Sequence, residues 1–218
     1  MADEAAEFSV EAVSRTPQQG RSKASLERML AAARELMLER SSEDFTLQEV
    51  SKRGNVSIGS IYLRFESKDN LVRAVLADAM RELAREEDAM LDRLSAECAT
   101  LDAFMPRYVQ AYADVLTVHA PLLRLSMMRA ESDPLVSEPG KRAALHAVEQ
   151  ATAAMLRYAR EFGGADFENR ASSAYYIIFA TLARQLSLGS SAESVTNYDW
   201  DGLKRELGKM CLAYLKAR

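Results

Sequence analysis

The chain has 218 residues, of which 48% are hydrophobic and 28% charged, and its net charge at pH 7 is −4. That much apolar material builds a core for one or two domains, and the acidic balance excludes a wholly basic nucleic-acid-binding protein. Two cysteines, Cys98 and Cys211, and two histidines give no disulfide framework and no short Cys/His spacing for zinc, so a reducing, cytoplasmic setting is expected. Residues 1–20 hold four acids, one base and no apolar run, which predicts a disordered leader and not a signal peptide. The rest is rich in Ala, Leu, Glu, Arg and Met, with only nine Gly and five Pro, so long helices are expected.

From Ser25 the apolar residues Leu26, Met29, Leu30, Ala33, Leu36 and Met37 recur with helical period, predicting a helix to Arg40. Thr46-Leu47-Gln48-Glu49 has the spacing of a capping box and opens a short helix over 46–53. Gly54-Asn55 tolerates the left-handed backbone of a sharp exit, and Ser57 caps a second short helix, Ile58 to Phe65. Ser67 then caps a long amphipathic helix over 68–94. Further helices are expected at 100–119, 121–131, 138–162, 166–188 and 200–217. The breaks between them fall at Ala120-Pro121, Ser132-Asp133-Pro134, Gly163-Gly164 and 189–198. No stretch alternates like a strand, so the expected fold is all-α with about nine helices. The most apolar run, Ala171 to Ala183 between Arg170 and Arg184, falls short of the ~20 residues a membrane span requires.

Two short helices joined by a tight turn form a helix-turn-helix, whose second helix enters the major groove. Residues 21–73 carry ten basic and eight acidic side chains, and of the three parts 1–20, 21–73 and 74–218 theirs alone is net positive. Val50, Val56, Ile61 and Phe65 are placed to lock the pair together. The segment from Phe45-Thr46-Leu47 through Val56-Ser57-Ile58-Gly59-Ser60-Ile61-Tyr62 and Phe65 to Ser67-Lys68-Asp69-Asn70-Leu71 resembles the DNA-binding domain of TetR-family regulators. The resemblance covers roughly residues 25–75. Gly54-Asn55 stands where the family usually has Ala-Gly, a departure that the turn tolerates.

The resemblance implies three parts: a leader (1–20), a helix-turn-helix domain (21–73) and a ligand-binding and dimerisation domain (74–218). It also implies roles. Ser57, Ile58, Ser60 and Leu63 are candidates for base edges, with Ile58 or Leu63 against a thymine methyl. Thr46, Tyr62 and Lys68 are phosphate candidates, joined by Arg21 and Lys23 from the lead-in. Arg64 suits either a guanine or a phosphate. Gly59 inside a helix fits close approach to DNA and close packing between helices equally well.

In the remainder, Phe104, Tyr108 and Tyr112 recur on one helical face. With Met127, Met128, Met155, Tyr158, Phe162, Tyr175 and Phe179 they are either ordinary core or, as the resemblance implies, the lining of an apolar effector cavity. His119 is a further polar anchor or a plain helix-end cap. The resemblance pairs the last two helices with their symmetry mates, making Tyr176, Leu186, Leu203, Leu207, Cys211 and Tyr214 interface candidates. The implied function is a homodimeric, ligand-responsive regulator on a pseudo-palindromic operator, a repressor by family habit. No metal, cofactor or membrane partner is expected.

Two rival readings differ in class. A helical-bundle enzyme needs Glu-x-x-His metal pairs, a phosphate loop or a nucleophile motif, and the sequence has none of them. A helical ligand-binding or protein-interaction module that no longer reads DNA is favoured by the slight positive charge and by Ile58 and Leu63.

Overall fold

The structure is a computed structural model that describes residues 20–188 and 199–218, with side chains from Lys23 onward. Eight α-helices follow in order: α1 (Gly20–Arg40), α2 (Leu47–Arg53), α3 (Ile58–Arg64), α4 (Lys68–Glu97), α5 (Leu101–Ala130), α6 (Pro134–Leu156), α7 (Phe167–Gln185) and α8 (Trp200–Lys216). A 3-10 turn, Ala159–Glu161, precedes α7, and no strand occurs among the described residues. The expected leader (but for Gly20) and the break at 189–198 lie outside the described residues.

The all-α expectation holds, and the count differs for one physical reason. A break was expected at Ala120-Pro121, yet α5 runs unbroken from Leu101 to Ala130. Proline removes one backbone donor and crowds the preceding turn, which by itself costs about 3 kcal/mol. Leu116, Ala120, Leu122 and Leu125, all buried, flank the site and keep the helix in place. The next helix starts earlier than expected, at Pro134 and not 138. Asp133 explains this start, because its carboxylate accepts from the Leu135 N–H (3.1 Å) and its carbonyl from Val136 and Ser137. Proline at the first helical position then loses nothing.

Helix ends are set by similar local chemistry. α1 stops at Ser41, which is left-handed (φ 49°); Ser42 N–H reaches back to Met37 and Ser41 N–H to Leu38, the Schellman pattern. α7 closes the same way through Ser187 (φ 54°), with Leu188 N–H on Ala183 and Ser187 N–H on Arg184. A non-glycine residue in this region is disfavoured, so both ends are held by the carbonyls they satisfy.

The chain divides into two compact units. One runs to Arg81 and adds Pro121–Gly140; the other holds Glu82–Ala120 and Lys141–Arg218. In the first unit, Met29, Ala33, Leu36 and Met37 of α1 are buried with Phe45, Val50, Ile61, Phe65, Leu71, Val72 and Leu76. The Val, Leu, Ile, Met and Phe side chains among them contribute roughly 1.5–3 kcal/mol each when buried to this degree. The second unit encloses Phe104, Met105, Tyr108, Leu116, Met155, Ile178, Leu182 and Leu215, with α7 packed against α8.

Candidate nucleic-acid interface and buried cavity

The α2–turn–α3 segment is built almost wholly by short-range contacts. The capping box of α2 forms as the sequence requires: Thr46 N–H donates to Glu49 Oε2 (2.7 Å), while Glu49 N–H donates to Thr46 Oγ1 (3.3 Å). An ion pair with Arg40 holds the same carboxylate, and together these bonds lower its pKa to about 2. Across the turn, Ser51 Oγ donates to Val56 O (2.6 Å) and Val56 N–H returns to Ser51 O (3.1 Å). Asn55 takes the left-handed conformation, φ 48°. Gly54 does not; it is right-handed at φ −78°. Glycine is needed there for another reason, since a Cβ would lie 2.9 Å from Arg28 O and 3.1 Å from Val50 O. The missing side chain lets α1 and α2 meet.

Ser57 caps α3, its Oγ accepting from Ser60 N–H (3.0 Å) and lying 2.7 Å from Ser60 Oγ. Ile61 and Phe65 are fully buried, and Val50 and Val56 are buried beside them, which fixes which face of α3 points outward. That outer face holds Ser57, Gly59, Tyr62 (55% exposed) and Leu63 (71% exposed). Two of the candidate readers turn inward. Arg64 is buried (8% exposed), and this desolvation lowers its pKa; a guanidinium held there presents nothing to a guanine or a phosphate. Ile58 is half-buried against the core, so of the two apolar candidates Leu63 alone is fully displayed. A Cβ at Gly59 would meet only Ser57 Oγ, at 3.9 Å, so close packing within the chain does not account for that glycine.

Of the phosphate candidates, Thr46 is exposed and Lys68 opens α4 with its ammonium 4.8 Å from the centre of the Phe45 ring. Lys23 is exposed on α1; Arg21 belongs to the same helix, but its side chain is outside the described set. Arg53 is tied to Glu39 (2.5 Å), which reduces the free positive charge of the unit further. Beside this surface stands a charge network that the sequence did not reveal. Arg129 contacts Asp133 (2.9 Å), Glu43 (2.6 Å) and Asp69 (2.9 Å), and Asp133 also receives Arg73 (2.7 Å). Apart from that of Arg129 with Asp133, four residues apart, these contacts join separate elements (α4, α5, the cap of α6 and the loop after α1), so no local pattern could have joined them.

In the second unit, the aromatic face expected on α5 is an ordered stack. Phe104–Tyr108 and Tyr108–Tyr112 have ring centroids 5.6 Å apart and nearly parallel planes. Tyr112 continues to Tyr175, with the hydroxyls 3.3 Å apart, and Tyr175 stacks on Phe179. Next to this stack is a small cavity lined by Glu87, Asp88, Tyr108, Tyr112, Gln150, Tyr175 and apolar neighbours. Its free volume is ≈ 10 Å³, room for about one water.

The other lining candidates do not border the cavity, although Tyr158 packs on Phe104 with ring centroids 5.1 Å apart. Met127 and Met128 belong to the first unit, Met128 being 65% exposed. Tyr158 spends its hydroxyl on Cys98 O (2.7 Å), Phe162 packs edge-on against Phe167, and Met155 is plain core. His119 is no helix cap, because α5 continues past it; its Nε2 lies 3.0 Å from Glu86. Glu87 was missed, though a signal existed. In the row Leu83, Glu87, Met90, Leu91, Leu94 it occupies an apolar register of α4, and it is 9% exposed. Burial, then the neighbouring Asp88 charge, raises its pKa to about 7.

Of the interface candidates, Leu207 and Cys211 face into their own unit at 3% exposure each, leaving a partner nothing to touch. The helical register explains it: 204, 207, 211 and 215 point inward, whereas Met210 (64% exposed) and Tyr214 (38%) point outward. On α7, Tyr176 and the unpredicted Ile177 are 56% and 46% exposed, so that helix is not buried on every side within the chain. Leu186 and Leu203 are half-buried.

Residues 29–75, which include the whole capped pair, match the family described as bacterial regulatory proteins, tetR family. This segment is similar to the TetR-family N-terminal domain. The likeness extends over the chain as fold. A Mesorhizobium loti structure assigned to TetR-family transcriptional regulators is 16% identical, covering 90% of this chain and 96% of that one, with TM-score 0.68. A transcriptional regulator from Cytophaga hutchinsonii is 18% identical over 88% and 98%, with TM-score 0.65. The fatty acid degradation regulator FadR from Bacillus halodurans is 13% identical over 93% and 100%, with TM-score 0.63. No curated protein matches the sequence. The chain thus shares its fold with these regulators, and no helix among the described residues is long and apolar enough to cross a membrane.

Proposed function

We propose that the protein is a homodimeric repressor that binds a pseudo-palindromic operator and leaves it when a small apolar or aromatic effector enters the second unit. The observation that carries the reading is the outward face of α3 in a TetR-family domain: Ser57, Gly59, Tyr62 and Leu63 stand clear of the core. On this reading Leu63 contacts a thymine methyl. Ser57 and Ser60 offer hydroxyls to base edges, and Thr46, Tyr62, Lys68 and Lys23 hold phosphates. Two readers need a fixed separation of about 34–36 Å, so the dimer is part of the mechanism. Its seam is drawn from the outward residues of α7 and α8, namely Tyr176, Ile177, Met210 and Tyr214, with Leu203 and Leu186 beside them.

Tyr108, Tyr112 and Tyr175 line the effector site, and Phe104 and Phe179 extend its aromatic wall. The residues that follow the reader and the cavity residue Glu87 are carried by one helix, α4. An effector acts by its differential affinity for two states of the protein, and a coupling of ~3 kcal/mol changes DNA affinity about 150-fold.

The test is a mobility-shift titration of the purified protein on DNA from upstream of its own gene, with and without a panel of aromatic compounds. A retarded band that weakens steeply with salt is expected, since each neutralised phosphate adds to the slope. No shift on that DNA at low salt would overturn the reading.

A further inference from the structure

The lining of the cavity is lopsided in charge. Two carboxylates, Glu87 and Asp88, and three tyrosines border it, and no lysine or arginine does. The two acids are not equivalent. Asp88 has a partner, His146 Nε2 at 3.2 Å, and the adjacent Glu86 faces His119. Glu87 is 9% exposed and has no hydrogen-bond or ion-pair partner among the described residues. The groups around it are Asp88 on its own helix, Tyr108 and Tyr112 from α5, Gln150 from α6 and Tyr175 from α7. Not one of these carries a positive charge.

A buried carboxylate without a partner is disfavoured by desolvation, and no group bordering the cavity brings a positive charge to offset that cost. An anionic ligand would add to the repulsion. A neutral ligand would leave the carboxylate uncompensated. A cation restores the ion pair, and tyrosine rings attract it further through their quadrupoles.

We propose that this cavity selects an organic cation, an ammonium or amidinium group on an aromatic or branched apolar body, and that Glu87 is its counter-ion. This rests on the reading of the second unit as the effector site and narrows the ligand class there. The cavity widens to admit the apolar body, and the cationic group meets Glu87 beside the Tyr112–Tyr175 hydroxyl pair.

The test uses a matched pair of probes, benzyltrimethylammonium and its uncharged carbon isostere neopentylbenzene, with the full chain at pH 8, where carboxylates are ionised unless strongly perturbed. Binding is read by saturation-transfer NMR and calorimetry. The cation is expected to bind at least tenfold more tightly than the isostere. Glu87→Gln is expected to abolish that preference, and Asp88→Asn to keep it. Glu87→Met, apolar and similar in length, gives the same loss should the glutamine variant fail to fold. Equal affinity for the two probes in the wild type, a cation preference that survives at Glu87→Gln, or no binding of either at millimolar concentration overturns the proposal. DNA release is scored separately by mobility shift. A cation held through Glu87 that leaves DNA binding unchanged upholds the counter-ion assignment while sinking the effector reading.

Discussion

Replacing Gly59 by alanine separates stability from DNA binding in a single substitution. In most proteins a helical glycine either fills a tight packing site or is a defect, and the two are told apart by what a methyl group would touch. At Gly59 a Cβ meets only Ser57 Oγ at 3.9 Å, an ordinary van der Waals distance, and the backbone is helical. The substitution therefore introduces no clash and removes the extra freedom that glycine gives the unfolded chain. The gain is about 0.5–1 kcal/mol, nearer the lower figure because the residue lies in the first turn of a seven-residue helix. For a domain of about 60–100 residues that raises the unfolding midpoint by roughly 2–8 °C. Urea unfolding followed by circular dichroism is expected to show a higher midpoint at unchanged slope. The same methyl stands on the displayed face of α3, where operator affinity is expected to fall at least tenfold, about 1.4 kcal/mol. A destabilised variant would falsify the claim that nothing in the chain uses this position. A more stable variant with unchanged operator affinity would show that the face is not the one that reads DNA.

Four other outcomes are expected. Asp133→Ala removes the cap of α6 and the shared partner of Arg73 and Arg129, and should cost roughly 2–4 kcal/mol in chemical unfolding. The pKa of Glu87, raised to about 7 in the folded state, makes stability greatest in acid and lowers it as pH climbs from about 4.5 to 7. Thermal melts of Glu87→Gln should lose that slope, whereas a slope identical to the wild type would refute the assignment. For Glu49 the sign is opposite. Its depressed pKa stabilises α2 above the ordinary carboxylate range, and that support is lost as pH falls toward about 2; Thr46→Val, lacking the cap, should show a shallower acid limb. Tyr176→Glu with Met210→Glu places charge on the proposed seam, and light scattering should then report a monomer that no longer retards operator DNA.

What could be read from the sequence was whatever depends on neighbours within a few residues. The capping box at Thr46 and Glu49, the Ser57 cap and the left-handed Asn55 are all reactions of a side chain with its own backbone, and they appear where spacing put them. The buried Ile61 and Phe65 followed from period alone. Misreadings arose where distant packing decides. Pro121 signals a stop by local rules, yet buried leucines on both sides carry α5 through it. Leu207 and Cys211 look identical in kind to Met210 and Tyr214 in an amphipathic helix, and only the register against α7 separates inward from outward. Arg64 reads as a surface cation until the core is seen to close over it. Two of the partners of Arg129, Glu43 and Asp69, are 86 and 60 residues away in the chain, beyond the reach of any pattern.

The cavity beside the tyrosine stack has room for about one water, which has a bearing on dose. If the proposed effector enters here, a chamber shut at rest answers only when that molecule is abundant enough to hold it open. If the open form is populated about one time in a hundred, the apparent dissociation constant is a hundredfold weaker than the intrinsic one. Trimming a wall residue such as Leu91 or Met90 would then lower the response threshold without altering a single contact to the molecule being sensed. The tightness of that stack is, in this sense, the setting of the alarm.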